Sequence, residues 1–305
     1  MGRYVVRRSL QAVFVILAVL VVTFILLRAI GDPARLLVSP EGSRENLAQI
    51  RHALGLDVPL HVQFVRFIAE VVKGDFGNSF TFGRPALGLV LERMPATLLL
   101  TLVALGLAVP TGMFLGTVSA VRRNSVYDNL ATTLAVLGRA VPNFWLSIML
   151  IVVFGAYLKW LPPSGFGTWR HIVLPAVALS AGLAAMVARL TRSSLLEVMG
   201  HDFVRTAKAK GLTETRVLNR HVMRNALIPI ATVVGLQAGH LLGGAIITET
   251  IFAWPGVGRL LTQSIYAYDY PVVQTSVFII SVTFVFLNLA IDLLYALIDP
   301  RIRYE

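Results

Sequence analysis

Residues 97–121 read TLLLTLVALGLAVPTGMFLGTVSAV, an apolar run without a single charge. About 20 such residues suffice for a helix to cross a hydrocarbon core about 30 Å thick, so the stretch reads as a transmembrane helix. Five further runs of this kind lie at 10–27, 140–158 with an extension back to 130, 172–188, 226–248 and 272–291. Their length, and the charged loops between them, favour helices over a barrel, whose strands would be about ten residues of alternating polarity. The expected fold class is an all-α polytopic membrane protein with six transmembrane helices.

Composition agrees. Of 305 residues 56% are hydrophobic and only 14% charged, at a mean hydropathy of +0.74. A soluble domain carries about a quarter charged residues. There is no cysteine, which excludes a disulfide scaffold and thiolate chemistry. The net charge of +11 raises the question of nucleic acid, but the arginines sit between apolar runs and form no basic stripe interleaved with aromatics. No nucleic-acid partner is expected; the lipid bilayer is the first one.

The run at 10–27 follows Arg3, Arg7 and Arg8, as a secretory signal would. It exceeds the usual 7 to 15 apolar residues, and Leu27-Arg-Ala-Ile-Gly-Asp-Pro33 is a poor cleavage site, so it reads as a retained anchor. Placing the N-terminus inside puts fifteen basic residues of the short loops and tails in the cytosol and four outside. Both termini are then cytosolic, with an even number of crossings. The long outer segment shows helical spacing at 46–54 and 60–72, introduced by Ser43 and by Asp57-Val58-Pro59. Two short amphipathic helices at the outer face are expected, as a solvated cap or as a docking surface.

Catalytic constellations are absent from the sequence. It contains no HExxH, no metal-ligand cluster, no GxSxG elbow and no phosphate-binding loop. The expectation is therefore no catalytic residue and no metal, with any ATP bound by another chain. His240 lies alone in a glycine-rich span and reads as a packed, hydrogen-bonded residue.

Between the fourth and fifth runs, 189–225 is too long for a turn. Asp202 can cap a helix over 203–210, with Gly211 as its left-handed stop and Lys208 and Lys210 in the last turn, where cations favour the dipole. A second helix is expected from Thr213, showing Val217, Leu218, Val222 and Leu227 on one side and ending near Pro229. Spacing alone leaves open a rigid helix that receives a push from a soluble motor, or a basic loop that merely obeys the positive-inside rule.

The stretch Asp202-Phe-Val-Arg-Thr-Ala-Lys-Ala-Lys-Gly-Leu212, followed by Arg220-His-Val-Met-Arg-Asn-Ala-Leu-Ile-Pro229, resembles the EAA loop of binding-protein-dependent ABC importer permeases, in the form of the dipeptide/oligopeptide/nickel family. The resemblance continues through Gly31-Asp-Pro33, Gly74-Asp-Phe-Gly77, Arg93-Met-Pro-Ala-Thr97, Thr250-Ile-Phe-Ala-Trp-Pro-Gly-Val-Gly-Arg-Leu260, Asp269-Tyr-Pro-Val272 and Asp292-Leu-Leu-Tyr-Ala-Leu-Ile-Asp-Pro-Arg-Ile-Arg303. Arg205 stands where the motif's name-giving glutamate would be, so that residue's role is not carried over. The chain is similar to the B-type permease subunit.

The resemblance implies a type I ABC importer permease fold, a heterodimer with a C-type permease subunit, two cytosolic ABC ATPase subunits that use ATP and Mg, and an extracellular or periplasmic solute-binding protein. Arg205, Thr206, Ala207, Lys208, Ala209, Lys210 and Gly211 would form the ATPase-coupling helix, with no cofactor bound by this chain. The implied location is the cytoplasmic membrane of a bacterium or archaeon. The implied organisation is an N-terminal tail and first helix at 1–30, an external segment at 31–95, a five-helix core at 96–298 with its coupling loop at 189–228, and a C-terminal tail at 299–305. The implied cargo is dipeptides or short oligopeptides, with nickel complexes and glutathione as alternatives. A secondary transporter would need more ionisable residues in its spans, and an intramembrane hydrolase a nucleophile and base.

Within the spans, Gly112 with Gly116, and Gly235, Gly239 and Gly243, repeat every four residues and read as helix-packing positions. Arg139 and Glu249 are the candidates for the translocation path. Arg139 reads as snorkelling or internally paired, or as a contact for a peptide carboxylate. Glu249 would meet a substrate amine or cap the following loop. Asp292, near the inner end of the sixth run, is expected to pair with a neighbouring helix.

Overall fold

Proline, glycine and left-handed residues set most of the breaks between helices. The computed structural model describes residues 2–30, 34, 44–53 and 55–298. In chain order its helices are α1 (Gly2–Ile30), α2 (Arg44–Ala53), α3 (Leu60–Lys73), α4 (Ala86–Val121), α5 (Val126–Ala140), α6 (Asn143–Leu150, continued as a π-helix over Ile151–Tyr157), α7 (Trp169–Met199), α8 (Asp202–Ala209), α9 (Glu214–Val217), α10 (Met223–Ile251), α11 (Val257–Tyr266) and α12 (Tyr270–Ile298). Among the described residues the only strand-like pairing is one isolated bridge, Asn78 with Pro85.

Helices occupy all six expected positions, but not all as single spans. Four are long and apolar enough to cross a membrane: α4, α7, the Pro229–Ile251 part of α10 and the Tyr270–Leu289 part of α12. The third run is broken: α5 and α6 meet at 105°, and count as a fifth span only if taken together. Pro142 lacks an amide hydrogen and disfavours helical geometry in the residue before it, and Val141 is accordingly extended at φ −73°, ψ 123°. In the first run the apolar part of α1 is the shorter Val13–Ala29.

The described residues fall into two compact units, those within 2–96 together with 255–289, and those within 97–254 together with 290–298. In the first, Leu20, Phe24 and Phe67 are buried together, with Phe64 and Phe278 packed against them. The Phe24 ring meets Phe64 edge-on at 5.2 Å and stacks on Phe67 at 5.8 Å. Arg28 lies 3.6 Å over the Phe24 ring and donates from Nε to Gln63 Oε1 at 3.0 Å, while Gln63 Nε2 donates to the Val58 carbonyl at 2.8 Å. One polar side chain thus pins the end of α1 to α3.

The two outer helices form as expected. Pro59 precedes α3, where a missing amide hydrogen costs nothing, and Gly74 ends it in the left-handed region at φ 79°; Ser43 lies outside the described residues. His52 Nδ1 pairs with Asp57 Oδ2 at 2.6 Å, and this hydrogen bond holds the Asp57 carboxyl below its ordinary range. Further on, Asp269 is fully buried and accepts the Phe80 amide at 3.2 Å, the Thr81 amide at 3.1 Å and the Ser79 hydroxyl. That set of donors is what a buried carboxylate requires, and it ties the 79–81 turn to the turn before α12.

In the second unit α4 packs on α7 at backbone distance. A Cβ added at Gly112 would lie 2.6 Å from the Ala184 carbonyl, and one at Gly116 would lie 2.6 Å from Thr191 Cβ and clash with the Ala188 carbonyl. Gly138 of α5 approaches α7 similarly, with a Cβ position 3.3 Å from Ala185 Cβ. The second glycine series divides. Gly235 and Gly239 are buried, but Gly243 is exposed with open space around it, so its expected packing is not made among the described residues. Its neighbour Gly244 faces Leu179 instead.

Gly116→Leu is therefore expected to destabilise the detergent-solubilised chain by more than the roughly 1–3 kcal/mol of ordinary overpacking, since backbone cannot move aside as a side chain can. Gly243→Leu should leave the thermal midpoint of the isolated chain within a degree or two. Thermal unfolding followed by size-exclusion chromatography checks both.

Candidate functional site

The segment after α7 opens with α8, a short helix packed on one face and exposed on the other, a lever in form. Val204 and Ala207 of α8 are buried with Ala120, Leu195, Val217, Val222 and Ala226. One turn of spacing puts both on the same face, and the opposite face presents Phe203, Arg205, Thr206, Lys208, Ala209 and Lys210 to the outside. Gly211 adopts φ +77° and its amide donates to the Lys208 carbonyl at 2.9 Å, which is the left-handed stop expected of it. Asp202 is not the cap: His201 holds that position without a side-chain cap bond, and Asp202 begins the first turn, 3.6 Å from Arg205. Lys208 is in the last turn and Lys210 immediately follows the helix.

The second expected helix does not end at Pro229. It starts after Thr213 as α9, passes through a π-helical turn at Leu218–Val222 and continues as α10 with Pro229 inside it. The π turn widens the helix by one residue and Pro229 removes one amide donor. Both devices fit a helix that must leave the lever and enter the bundle without a break.

Behind the lever lies a charge pair that sequence reading missed. Asp128, 3% exposed, receives Arg192 in a bidentate pair, Nε to Oδ1 and Nη2 to Oδ2 at 2.9 Å each. The Ser119 hydroxyl, the Asn124 amide at 2.9 Å and the Thr132 hydroxyl at 3.3 Å also donate to this carboxylate. The pair joins the first turn of α5 to α7, three turns or fewer before the lever. Its signal was weak, because the two partners stand 64 residues apart on different helices.

A polar cleft of about 420 Å³ opens where α5 breaks, lined among others by Arg139, Asn143, Gln237 and His240. Asn143 Nδ2 donates to Thr248 Oγ1 at 3.2 Å, while its Oδ1 is buried without a hydrogen bond. His240 is exposed on this cleft rather than packed. Arg139, exposed, also lines a second groove between α4, α5 and α7. Glu249 does not line the cleft: it is fully buried and accepts the Thr97 hydroxyl at 2.6 Å. Its place in the interior is set by that bond, and its carbonyl receives the Trp254 amide at 2.8 Å. The Asp292 side chain lies outside the described residues. Among the described residues no three His, Asp or Glu side chains come together as a metal site.

Among the described residues the chain is helical, with several long apolar helices and a short helix seated by one face against α7 and α10. The family described as "Binding-protein-dependent transport system inner membrane component" matches residues 108–304, and its N-terminal counterpart matches 1–101. The chain is 45% identical over 306 residues to the glutathione transport system permease protein GsiC of Salmonella paratyphi A and 44% identical to that of Escherichia coli K12, covering 100% of both chains in each case. In fold it is similar to a chain of the MetNI methionine ABC transporter in an inward-facing conformation, at 19% identity and a TM-score of 0.59, over 69% of this chain and 96% of that one. This chain belongs to the binding-protein-dependent ABC importer permeases. It is a multi-pass permease subunit with the type I importer fold.

Removing Asp128 alone should be worse than removing the pair. Asp128→Ala leaves Arg192 half-buried without its carboxylate, and breaking such a pair costs about 3–5 kcal/mol, whereas Asp128→Leu with Arg192→Met should cost less than the sum of its single changes. A double-mutant cycle of thermal unfolding in detergent reads the difference.

Proposed function

We propose that the chain forms half of a translocation path for short peptides, and that Arg205 to Gly211 is the helix through which ATP-driven motion reaches it. Beside it in the membrane stands a C-type permease subunit. Two cytosolic ABC ATPase subunits bind ATP and Mg, and an external solute-binding protein delivers the cargo. This chain hydrolyses nothing itself. It resides in the cytoplasmic membrane with both termini in the cytosol, consistent with the excess of basic residues on that side.

The observation that carries the coupling role is the two-sided build of α8. Val204 and Ala207 anchor it to α7 and α10, and its exposed face carries Arg205, Lys208 and Lys210. A force on that face moves the base of two long helices together. Substrate passes the cleft bearing Asn143, Gln237 and His240, with Arg139 at its edge; Gly112, Gly116, Gly235 and Gly239 hold helices close, and Gly243 is free to meet the partner permease. Glu249 acts inside the bundle. Glutathione is the first cargo to test, because relatives 44–45% identical over the full length are named for its transport. Dipeptides, longer oligopeptides and nickel complexes are the comparison set.

In cells lacking the gene, ATP-dependent uptake of labelled glutathione or of a short peptide should fall to background and return on restoration. If none of the four cargoes depends on the gene, the peptide reading fails. Gly211→Val strains the left-handed position, and combined with Lys208→Glu and Lys210→Glu it should abolish uptake while the chain still inserts. Full uptake by this triple variant would remove the helix from the mechanism.

A further inference from the structure

The groove between α4, α5 and α7 combines two features that a water-soluble ligand does not satisfy together. It encloses about 530 Å³, and its walls include Leu115, Ala131, Ala135, Ala185 and Ala188. Arg139, Arg189 and Arg192 also line it. The charge of Arg192 is answered by Asp128. Arg139 and Arg189 are exposed, and neither has a hydrogen bond or ion pair among the described residues.

Depth decides what can answer them. From Arg170 to Arg189 α7 advances about 28 Å at 1.5 Å per residue, close to one hydrocarbon thickness. With Arg170 at the outer boundary, Arg189 lies at the inner headgroup level. Gly138 packs beside Ala181 and Ala185, which puts the neighbouring Arg139 one to two turns deeper. Its Cα–Cβ bond tilts toward the N-terminal end of α5, the end where Asp128 meets Arg192, and its long stem can carry the guanidinium toward the level of Arg189. Arg139 and Arg189 thus line one and the same apolar slot. Guanidinium forks match phosphate oxygens in pairs.

We propose that this groove binds an anionic phospholipid of the cytosolic leaflet, with its phosphate between Arg139 and Arg189 and an acyl chain along the alanine-lined wall. The proposal rests on the cytosolic placement of Asp202 to Gly211. A neutral zwitterionic lipid offers the same phosphate but brings its own cation; an acidic lipid supplies net negative charge to two unanswered cations. A free phosphate compound would leave the apolar wall uncovered. The groove reaches Ser193, and α7 then runs to Met199 and the lever at Asp202. Bound lipid therefore braces the helix that carries the lever.

The test uses the complete importer, both permeases with both ATPases, in nanodiscs of phosphatidylcholine with 0 to about 40% phosphatidylglycerol, followed by native mass spectrometry of the lipids that stay bound. Wild type should retain phosphatidylglycerol in preference to phosphatidylcholine. Arg189→Gln should lower that retention about tenfold, as expected for loss of one charge-assisted contact. Arg189→Lys should keep a part of it, and soluble glycerol phosphate should not compete. Equal retention of the two lipids by wild type overturns the proposal whatever the variants do, as does unchanged retention by Arg189→Gln or displacement by glycerol phosphate. ATP hydrolysis stimulated by the binding protein, measured in phosphatidylcholine alone, tests the importer reading separately.

Discussion

The second unit depends on the contact between α4 and α7, which Gly112 and Gly116 close to backbone distance. In lipid no hydrophobic force pulls two apolar helices together, because hydrocarbon is as apolar as leucine. Close approach and dispersion must supply the association, and only residues without bulk allow it. At the end of this contact the Asp128–Arg192 pair takes over. A charge pair with five donated hydrogen bonds resists separation, where glycine packing alone would permit sliding.

From that base the lever follows. The last turns of α7 carry Leu195, which packs with Val204, Ala207, Val217 and Val222, so the short helix α8 is not a free loop. Eight residues would not hold a helix in water by themselves. Burying one face on α7 and α10 stabilises it, and the other face stays available. The result is a short helix fixed on one face and available on the other, in a chain of the importer permease family.

Polar groups elsewhere in the chain follow the same rule of local satisfaction. Asp269 gathers the Ser79 hydroxyl and the Phe80 and Thr81 amides, Arg28 finds Gln63 and the face of Phe24, and Glu249 takes the Thr97 hydroxyl. Exceptions include Asn143 Oδ1 on the cleft and Arg139 and Arg189 on the groove beside the α5–α6 break, besides the buried hydroxyls of Thr191, Ser264 and Ser276.

Helix positions and the lever were legible in the sequence because both rest on local rules. Uncharged runs of about 20 residues mark spans, and Gly211 marks a left-handed stop wherever it stands. The motif order from Asp202 to Pro229 was enough to suggest the family. Local rules failed where the outcome depends on residues far apart. The break at Pro142 could be suspected from one proline, but its 105° bend could not. Glu249, at the end of the fifth run, read as meeting a substrate amine or capping the following loop; only the fold sets Thr97 against it, 152 residues away. Asp128 and Arg192 look like two stray charges until α5 packs on α7. The sequence by itself determined where the apolar helices lie and where the short helix stops, since hydropathy and capping act on neighbours in the chain. Which charges are paired, which glycines pack and which cavities keep unanswered groups was decided by tertiary structure alone, because pairing is a matter of distance in space.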